Sequence, residues 1–399
     1  MYSVIPSGNV TSPTGFLAGA VSAGIRKDKI PDLAILYSEV ACTAAGVFTT
    51  NRIKSAPVRL SKMRIAKHKA QAVVVNSGCA NACVGGQGMK DALEITNLTS
   101  LHLGIPSETV LIASTGVIGV PLPMEKIRAA IPKVKPSREG GHDFARAIMT
   151  TDTRTKEIAI EVKAVGSRFM IGGAAKGAGM IHPHLATMLC FITTDASVDA
   201  DFLQSALQKS VDCSFNMISV DGDTSPSDCV LVLANGLAAN EPINFNNGEV
   251  FQEALNQVCV YLAKSIIRDA EGATKVIEVV VKGAKDDAQA RKAARTVASS
   301  TLVKAAVHGN DSNWGRIVAA LGRSKVTLKE ERLDISWNQV PVMRQGKAVR
   351  FDGEELRLIL SKSDTALIEI SLNVGAGKAV SWGCDLSEEY VTINSAYTT

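Results

Sequence analysis

The sequence predicts an α/β protein with sheets covered by helices, and three kinds of pattern along its 399 residues predict it. Short apolar runs stop at small or polar residues, one segment alternates apolar with polar, and long segments carry helical periodicity. Ala72 to Val75 reads as a buried strand that breaks at Asn76, Ser77 and Gly78. Asp91 to Leu103 is helical in character, with Leu98 and Leu101 on one face and Gly104 as its stop. Val110 to Ala113 is a second buried strand, emptying into a loop at Ser114, Thr115 and Gly116. Glu157 to Val162 alternates as a half-exposed strand does. Gly172 to Gly179 reads as tight turns near a site. From Glu249 on, Phe251, Ala254, Leu255, Val258, Leu262 and Ile266 form one apolar helix face that ends around Asp269 to Gly272. Val276 to Val281 is then a strand, and Asp286 to Ala306 one long alanine-rich helix.

Composition narrows the function classes. Hydrophobic residues make up 46% and charged residues 21%, a globular balance that argues against disorder. A formal charge of +4 over this length is too dilute to predict nucleic acid or an anionic membrane as a partner. No run approaches the roughly 18 apolar residues of a membrane helix. The start, MYSVIPSGNVTSPTGF, lacks a basic segment followed by an apolar one, so a soluble, cytoplasmic protein is expected. The cysteines at 42, 79, 83, 190, 213, 229, 259 and 384 form no CxxC pair. Buried free thiols are expected, with no metal site and no cofactor.

The stretch Gly172 to Ala196 carries the chemistry. Met188, Leu189, Phe191 and Ile192 make a buried strand that begins just after Thr187, while Pro183 breaks regular structure before it. A threonine there, preceded by the small Ala186, suits intramolecular attack on the preceding carbonyl, an N-to-O acyl shift and hydrolysis of the ester. Thr187 would then be a new N-terminus whose own α-amine, with an ordinary pKa of about 7.7–8.0, accepts the hydroxyl proton. Spacing alone favours an ordinary β-branched strand residue. Lys176 among glycines lacks the G-x-x-x-x-G-K-[ST] of a phosphate loop, and His182 with His184 lacks a third metal ligand nearby.

This stretch resembles the processing site of the ornithine acetyltransferase (glutamate N-acetyltransferase) family. The family pattern K-G-x-G-M-I-x-P-x-x-A-T-M-L stands here as Lys176 to Leu189. The resemblance runs nearly end to end, through GVFTTN at 46–51, NSGCANACVGGQG at 76–88, ASTGVIG at 113–119 and MTTDT at 149–153. It continues with SVDGDTS at 219–225, DAEGATK at 269–275, NWGRI at 313–317 and WGCDL at 382–386. Where the family usually has Thr-Asn-Asp after SVDGDTS, this chain has Pro226, Ser227 and Asp228.

The resemblance implies a layered α/β fold of the self-processing N-terminal-nucleophile kind, cut between Ala186 and Thr187 into chains 1–186 and 187–399, two of each. That cut is a chain boundary and need not be a domain boundary. It implies Thr187 as nucleophile, with the Thr115 hydroxyl and Gly116 N–H as oxyanion donors. Thr150, Lys176, Thr187, Glu271, Asn394 and Thr399 are the implied substrate contacts, with Thr151 and Thr153 beside Thr150 carrying the same group. The implied substrates are N2-acetyl-L-ornithine and L-glutamate, exchanging acetyl in arginine biosynthesis without a cofactor, and some members also use acetyl-CoA. Two other readings stay open: a related self-processing aminopeptidase or amidase using Thr187, and an uncleaved small-molecule binding protein.

Overall fold

The apolar runs become the interior of a nine-stranded sheet among the residues that the computed structural model describes, which are 2–28, 30–164, 167–182 and 188–396. Across this sheet the order is Tyr2–Val4, Lys156–Ala164, Ser167–Lys176, Leu189–Thr194, Cys229–Ala234, Leu33–Phe48, Lys69–Cys79 and Val110–Val117. Phe16–Val21 pairs alongside Leu33–Phe48. Leu189–Thr194 and Cys229–Ala234 run parallel and are buried at every position. They tolerate unbroken apolar sequence because both faces are covered.

Successive side chains of a strand point to opposite faces, so each strand serves two cores. Cys190 and Ile192 join Val230 and Val232 in the core shared with the helix Glu249–Arg268. Leu189 and Phe191 join Leu231, Leu233 and Phe144 on the other face. There Phe144 meets Phe191 edge-on, with ring centroids 5.3 Å apart. The helix Glu249–Arg268 buries the predicted residues Phe251 to Ile266, each contributing about 1.5–3 kcal/mol for the larger side chains. The same core takes in Ile277, Val279 and Val281 of a second, seven-stranded sheet. No helix among the described residues is long and apolar enough to cross a membrane.

Four local expectations change. The helix predicted from Asp91 begins at Gly85, and its buried side is Ala92, Ile95, Thr96 and Thr99; Leu101 is 80% exposed. The single helix expected over 286–306 is two, Asp287–Ala298 and Thr301–His308, because Ser300 is extended between them. Gly172 and Gly173 belong to the strand Ser167–Lys176, and the turn starts only at Gly177. Six cysteines are buried as expected, whereas Cys83 and Cys213 are exposed.

The register positions the site. Ser167–Lys176 pairs antiparallel with Leu189–Thr194, which sets Lys176 opposite Leu189 at one end of the ladder. Met188 immediately precedes this strand, so Met188 and Lys176 share one end of the sheet.

Candidate active site

Thr115 and Gly116 sit in the last part of the strand Val110–Val117, not in the loop expected, paired in register with Ser77 and Gly78. Gly116 has φ +126°, and a Cβ there would come 2.3 Å from the Gly78 carbonyl carbon. Only glycine fits this close approach of two strands. Thr115 is buried.

Lys176 ends its strand in the interior, 1% exposed, contrary to the usual surface fate of a lysine. Its Nζ donates to Thr115 Oγ1 over 3.4 Å. Burial pushes its proton affinity down, the Asp152 carboxylate pulls it back, and the neighbouring Lys156 ammonium pushes it down further. Asp228 and Glu271 also favour its charge, and the net direction is downward.

A buried ion network that sequence reasoning missed holds this wall. Asp152 Oδ1 accepts from Lys156 Nζ at 2.6 Å and from Gly177 N–H at 2.7 Å, while Oδ2 accepts from Thr150 N–H at 3.0 Å. Burial opposes its charge, but Lys176, Lys156 and the Gly177 N–H hold its carboxyl at about 2. Lys156 Nζ also donates to Asp269 Oδ2 at 2.6 Å. Asp269 in turn takes the Thr153 N–H and hydroxyl, so Thr153 is committed to the network while Thr150 and Thr151 face the cavity. MTTDT carried a signal in its aspartate, but nothing in a single sequence pairs Lys156 with a residue 113 positions away.

Glu271 follows the helix Glu249–Arg268, and its N–H donates to Ala178 O at 3.0 Å. A Cβ on Gly179 would strike Glu271 Oε2 at 2.3 Å, so the missing side chain is what admits the carboxylate. Asn394, on the tail helix Glu388–Ala396, donates from Nδ2 to Glu271 Oε2 at 2.9 Å. Tyr390 of that helix donates to Asp221 Oδ2 at 3.2 Å. The helix Glu388–Ala396 therefore packs against the cavity.

Thr115, Gly116, Thr150, Lys176, Glu271 and Asn394 all line one cavity. Arg26, Ser225 and Ser227, which sequence reasoning did not single out, line it too. Ala186, Thr187 and Thr399, with His184, lie outside the described residues. The chain re-emerges at Met188, whose N–H donates to Asp228 Oδ1 at 2.9 Å. On the other side, His182 Nδ1 lies 3.1 Å from Ser219 Oγ.

Chemically, the cavity combines a hydroxyl contacted by a buried ammonium, a carboxylate with an amide beside it, and an acidic network that keeps the ammonium in place. That set suits a small zwitterionic substrate with a carboxylate at one end and an amine at the other.

The family profile described as "ArgJ family" matches residues 17–399. A protein of Dehalococcoides mccartyi named "Arginine biosynthesis bifunctional protein ArgJ" is 52% identical over 401 residues, covering 99% of this chain and 98% of that one. A protein of the same name from Symbiobacterium thermophilum is 50% identical over 401 residues, covering 98% and 99%. A crystal structure of the arginine biosynthesis bifunctional protein argJ from Bacillus halodurans is 42% identical, with a TM-score of 0.50. It covers 51% of this chain and 97% of its own.

Proposed function

Because the chain belongs to the ArgJ family, and is a bifunctional enzyme of arginine biosynthesis, we propose that it works through a self-generated N-terminal Thr187. Cleavage after Ala186 frees the Thr187 amine, which then serves as the base for its own hydroxyl. Thr187 Oγ attacks the acetyl carbonyl of N2-acetyl-L-ornithine, ornithine leaves, and an acetyl-threonine ester remains. The amine of L-glutamate attacks that ester and departs as N-acetylglutamate.

The observation that carries this reading is the convergence of Thr115, Gly116, Thr150, Lys176, Glu271 and Asn394 on one cavity, at the sheet end where Met188 resumes the chain. Lys176 donates to the Thr115 oxygen, which leaves the Thr115 proton free for the oxyanion beside the Gly116 N–H. Each such donor is worth about 2.7–4 kcal/mol in the transition state. In the acyl-donor complex, Lys176 takes the substrate carboxylate and Glu271 the ornithine δ-ammonium. Asn394, already bonded to Glu271, supplies an amide for the γ-carboxylate when glutamate follows.

Two features support a cut at this bond. The strands flanking it, Ser167–Lys176 and Leu189–Thr194, pair with each other, so the halves stay joined through the sheet. The solved argJ chain matches half of this one over nearly all its own length, the proportion expected of a processed half. The reading includes an assembly of two 1–186 and two 187–399 chains in the cytoplasm, and acetyl-CoA as a second acetyl donor.

The test is intact mass under denaturing conditions for the natural chain and Thr187→Ala, then acetylglutamate formation from acetylornithine and glutamate. Fragments beginning at Met1 and Thr187 in the first, and one whole chain in the second, are expected. A single uncut chain in both removes the amine and the mechanism with it. Acetylglutamate made from acetyl-CoA without acetylornithine tests the second donor; no product above background discards that part alone.

A further inference from the structure

Arg26 and Lys176 are the two cations that line the cavity among the described residues, and only Lys176 has a part in the reaction so far. In acetylornithine and in glutamate the reacting nitrogen and the α-carboxylate share one carbon. The carboxylate therefore stays within about 4 Å of that nitrogen in every conformation, and its pocket must adjoin the oxyanion donors. Arg26 adjoins them. A Cβ on Gly78 would meet Arg26 Cγ at 2.8 Å, so the arginine stem lies on Gly78, which pairs in register with Gly116. At its far end, Arg26 Nη1 donates to the carbonyl of Met149, whose carbon is bonded to the Thr150 nitrogen. The side chain thus runs from beside the oxyanion glycine to Thr150, and Thr150 and Thr151 line the cavity with it.

The fold fixes this arginine firmly. Asp32, 0% exposed, accepts the N–H groups of Ala23 and Ile25 at 2.6 Å and that of Arg26 at 2.9 Å. The Asp32 carbonyl takes the Ser77 N–H at 2.9 Å, which ties the loop to the strand that carries Gly78. Asp28 then accepts from Nε at 3.1 Å and also from Nη2. A guanidinium has five N–H groups. Asp28 takes two and Met149 one, which leaves one on each Nη, a pair matched by the two oxygens of a carboxylate. Only 13% of the side chain is exposed, so a carboxylate there is held away from bulk water, where a charge-assisted pair counts for more.

Resting on the reading of the cavity as the site for acetylornithine and glutamate, we propose that Arg26 is a clamp for the α-carboxylate of both. It shares that carboxylate with Lys176. Lys176 alone is a weak clamp, because it contacts Thr115 Oγ1 and already balances the charges of Asp152, Asp228 and Glu271. The two ends of the cavity then read different things. Glu271 reads the δ-ammonium that only the ornithine side chain has, whereas Arg26 reads the group that both amino acids carry.

Ornithine and putrescine isolate that group, since putrescine is ornithine without its carboxylate. Calorimetry measures the affinity of each for the purified natural protein, Arg26→Met, Arg26→Gln and Arg26→Lys. Arg26→Met and Arg26→Gln are expected to bind ornithine about 10–100-fold more weakly and putrescine less than about threefold more weakly. Arg26→Lys keeps the charge but loses the paired donors, and its ornithine affinity is expected to fall between the two. In Arg26→Met, KM for acetylornithine and KM for glutamate are expected to rise by similar factors.

Equal weakening of ornithine and putrescine overturns the clamp, because an arginine that only supports the fold does not distinguish the two ligands. Ornithine affinity within about twofold of the natural value in Arg26→Met overturns it as well. If Arg26→Met and Arg26→Gln do not fold, Arg26→Lys decides, and an unchanged ratio of ornithine to putrescine affinity rules the clamp out. A natural protein that binds ornithine no better than putrescine overturns the reading of the cavity, and the clamp with it. That failure shows before any substitution is made and is thereby distinct from a failure of Arg26.

Discussion

Asn394 Nδ2 donates to Glu271 Oε2 at 2.9 Å, tying the tail helix to the turn after Glu249–Arg268. Under the proposed function, the pair divides the labour between the two amino acids that share the cavity. Glu271→Gln should raise KM for acetylornithine roughly ten- to a hundredfold, the value of a hydrogen bond to a charged group. Its effect on KM for glutamate, which has no δ-amine, should be smaller. Equal rises for both substrates would remove the assignment of Glu271 to the ornithine side chain. A peptide hydrolase using Thr187 would show little response to either measurement.

Thr115 offers a cleaner test of transition-state binding. Valine keeps the β-branched shape in the strand but removes the hydroxyl that Lys176 contacts. Thr115→Val should lower kcat about 10²–10³-fold with little change in KM. A loss confined to KM would mean that the hydroxyl binds ground-state substrate and does not stabilise the oxyanion.

Asp152 links the site to stability. Its carboxyl is held at about 2 against an ordinary value of 3.8, so its folded form is favoured in the charged state. The contribution is therefore present above pH 3.8 and is lost as the pH falls through about 2. Its size is about 2 kcal/mol. Asp152→Asn, made in the uncut Thr187→Ala chain so that one polypeptide unfolds, should cost about 2 kcal/mol near neutrality by removing the carboxylate that faces Lys156 and Lys176, while Lys156 keeps its bond to Asp269. Urea unfolding should show that gap narrowing toward low pH. A gap independent of pH would mean that Asp152 does not carry the charge in the folded chain.

The sequence made the central strands and the long helix legible because period and burial coincide there: Phe251 to Ile266 repeat at helical spacing, and Leu189 to Ile192 are apolar without a break. It misjudged the region after Asp286 because alanine continues on both sides of Ser299 and Ser300, and composition does not reveal a bend that two serines make. Lys176, Glu271 and Asn394 were nameable only through the family resemblance. Residue by residue, each reads as a surface polar group, and only the fold brings them to one cavity. Asp152, Lys156 and Asp269 escaped for the same reason in stronger form. Asp152 and Lys156 are neighbours in sequence, but Asp269, which completes the network, lies 113 positions beyond Lys156.

His308 ties the start of the tail helix to the buried Asp385. Its ring bonds the buried Asp385 through Nδ1 at 2.8 Å and Glu388, at the start of the tail helix, through Nε2 at 3.2 Å. The Asp385 hydrogen bond raises the imidazole above its ordinary 6.5, burial opposes it, and the Asp385 and Glu388 charges add to the rise. A raised histidine contributes stability that is full below pH 6.5 and fades as the pH climbs through the folded value. Glu388 is 92% exposed at its side chain, so most of the effect belongs to Asp385. Because the same helix carries Asn394, loosening it should reach the substrate. KM for glutamate should rise as the pH passes from 6 to about 8.5, and amide exchange over 388–396 should quicken in parallel. His308→Asn should flatten the His308-dependent part of both profiles. Retention of the full natural pH response in His308→Asn would place the control of the tail elsewhere, with the Tyr390–Asp221 contact the next to test.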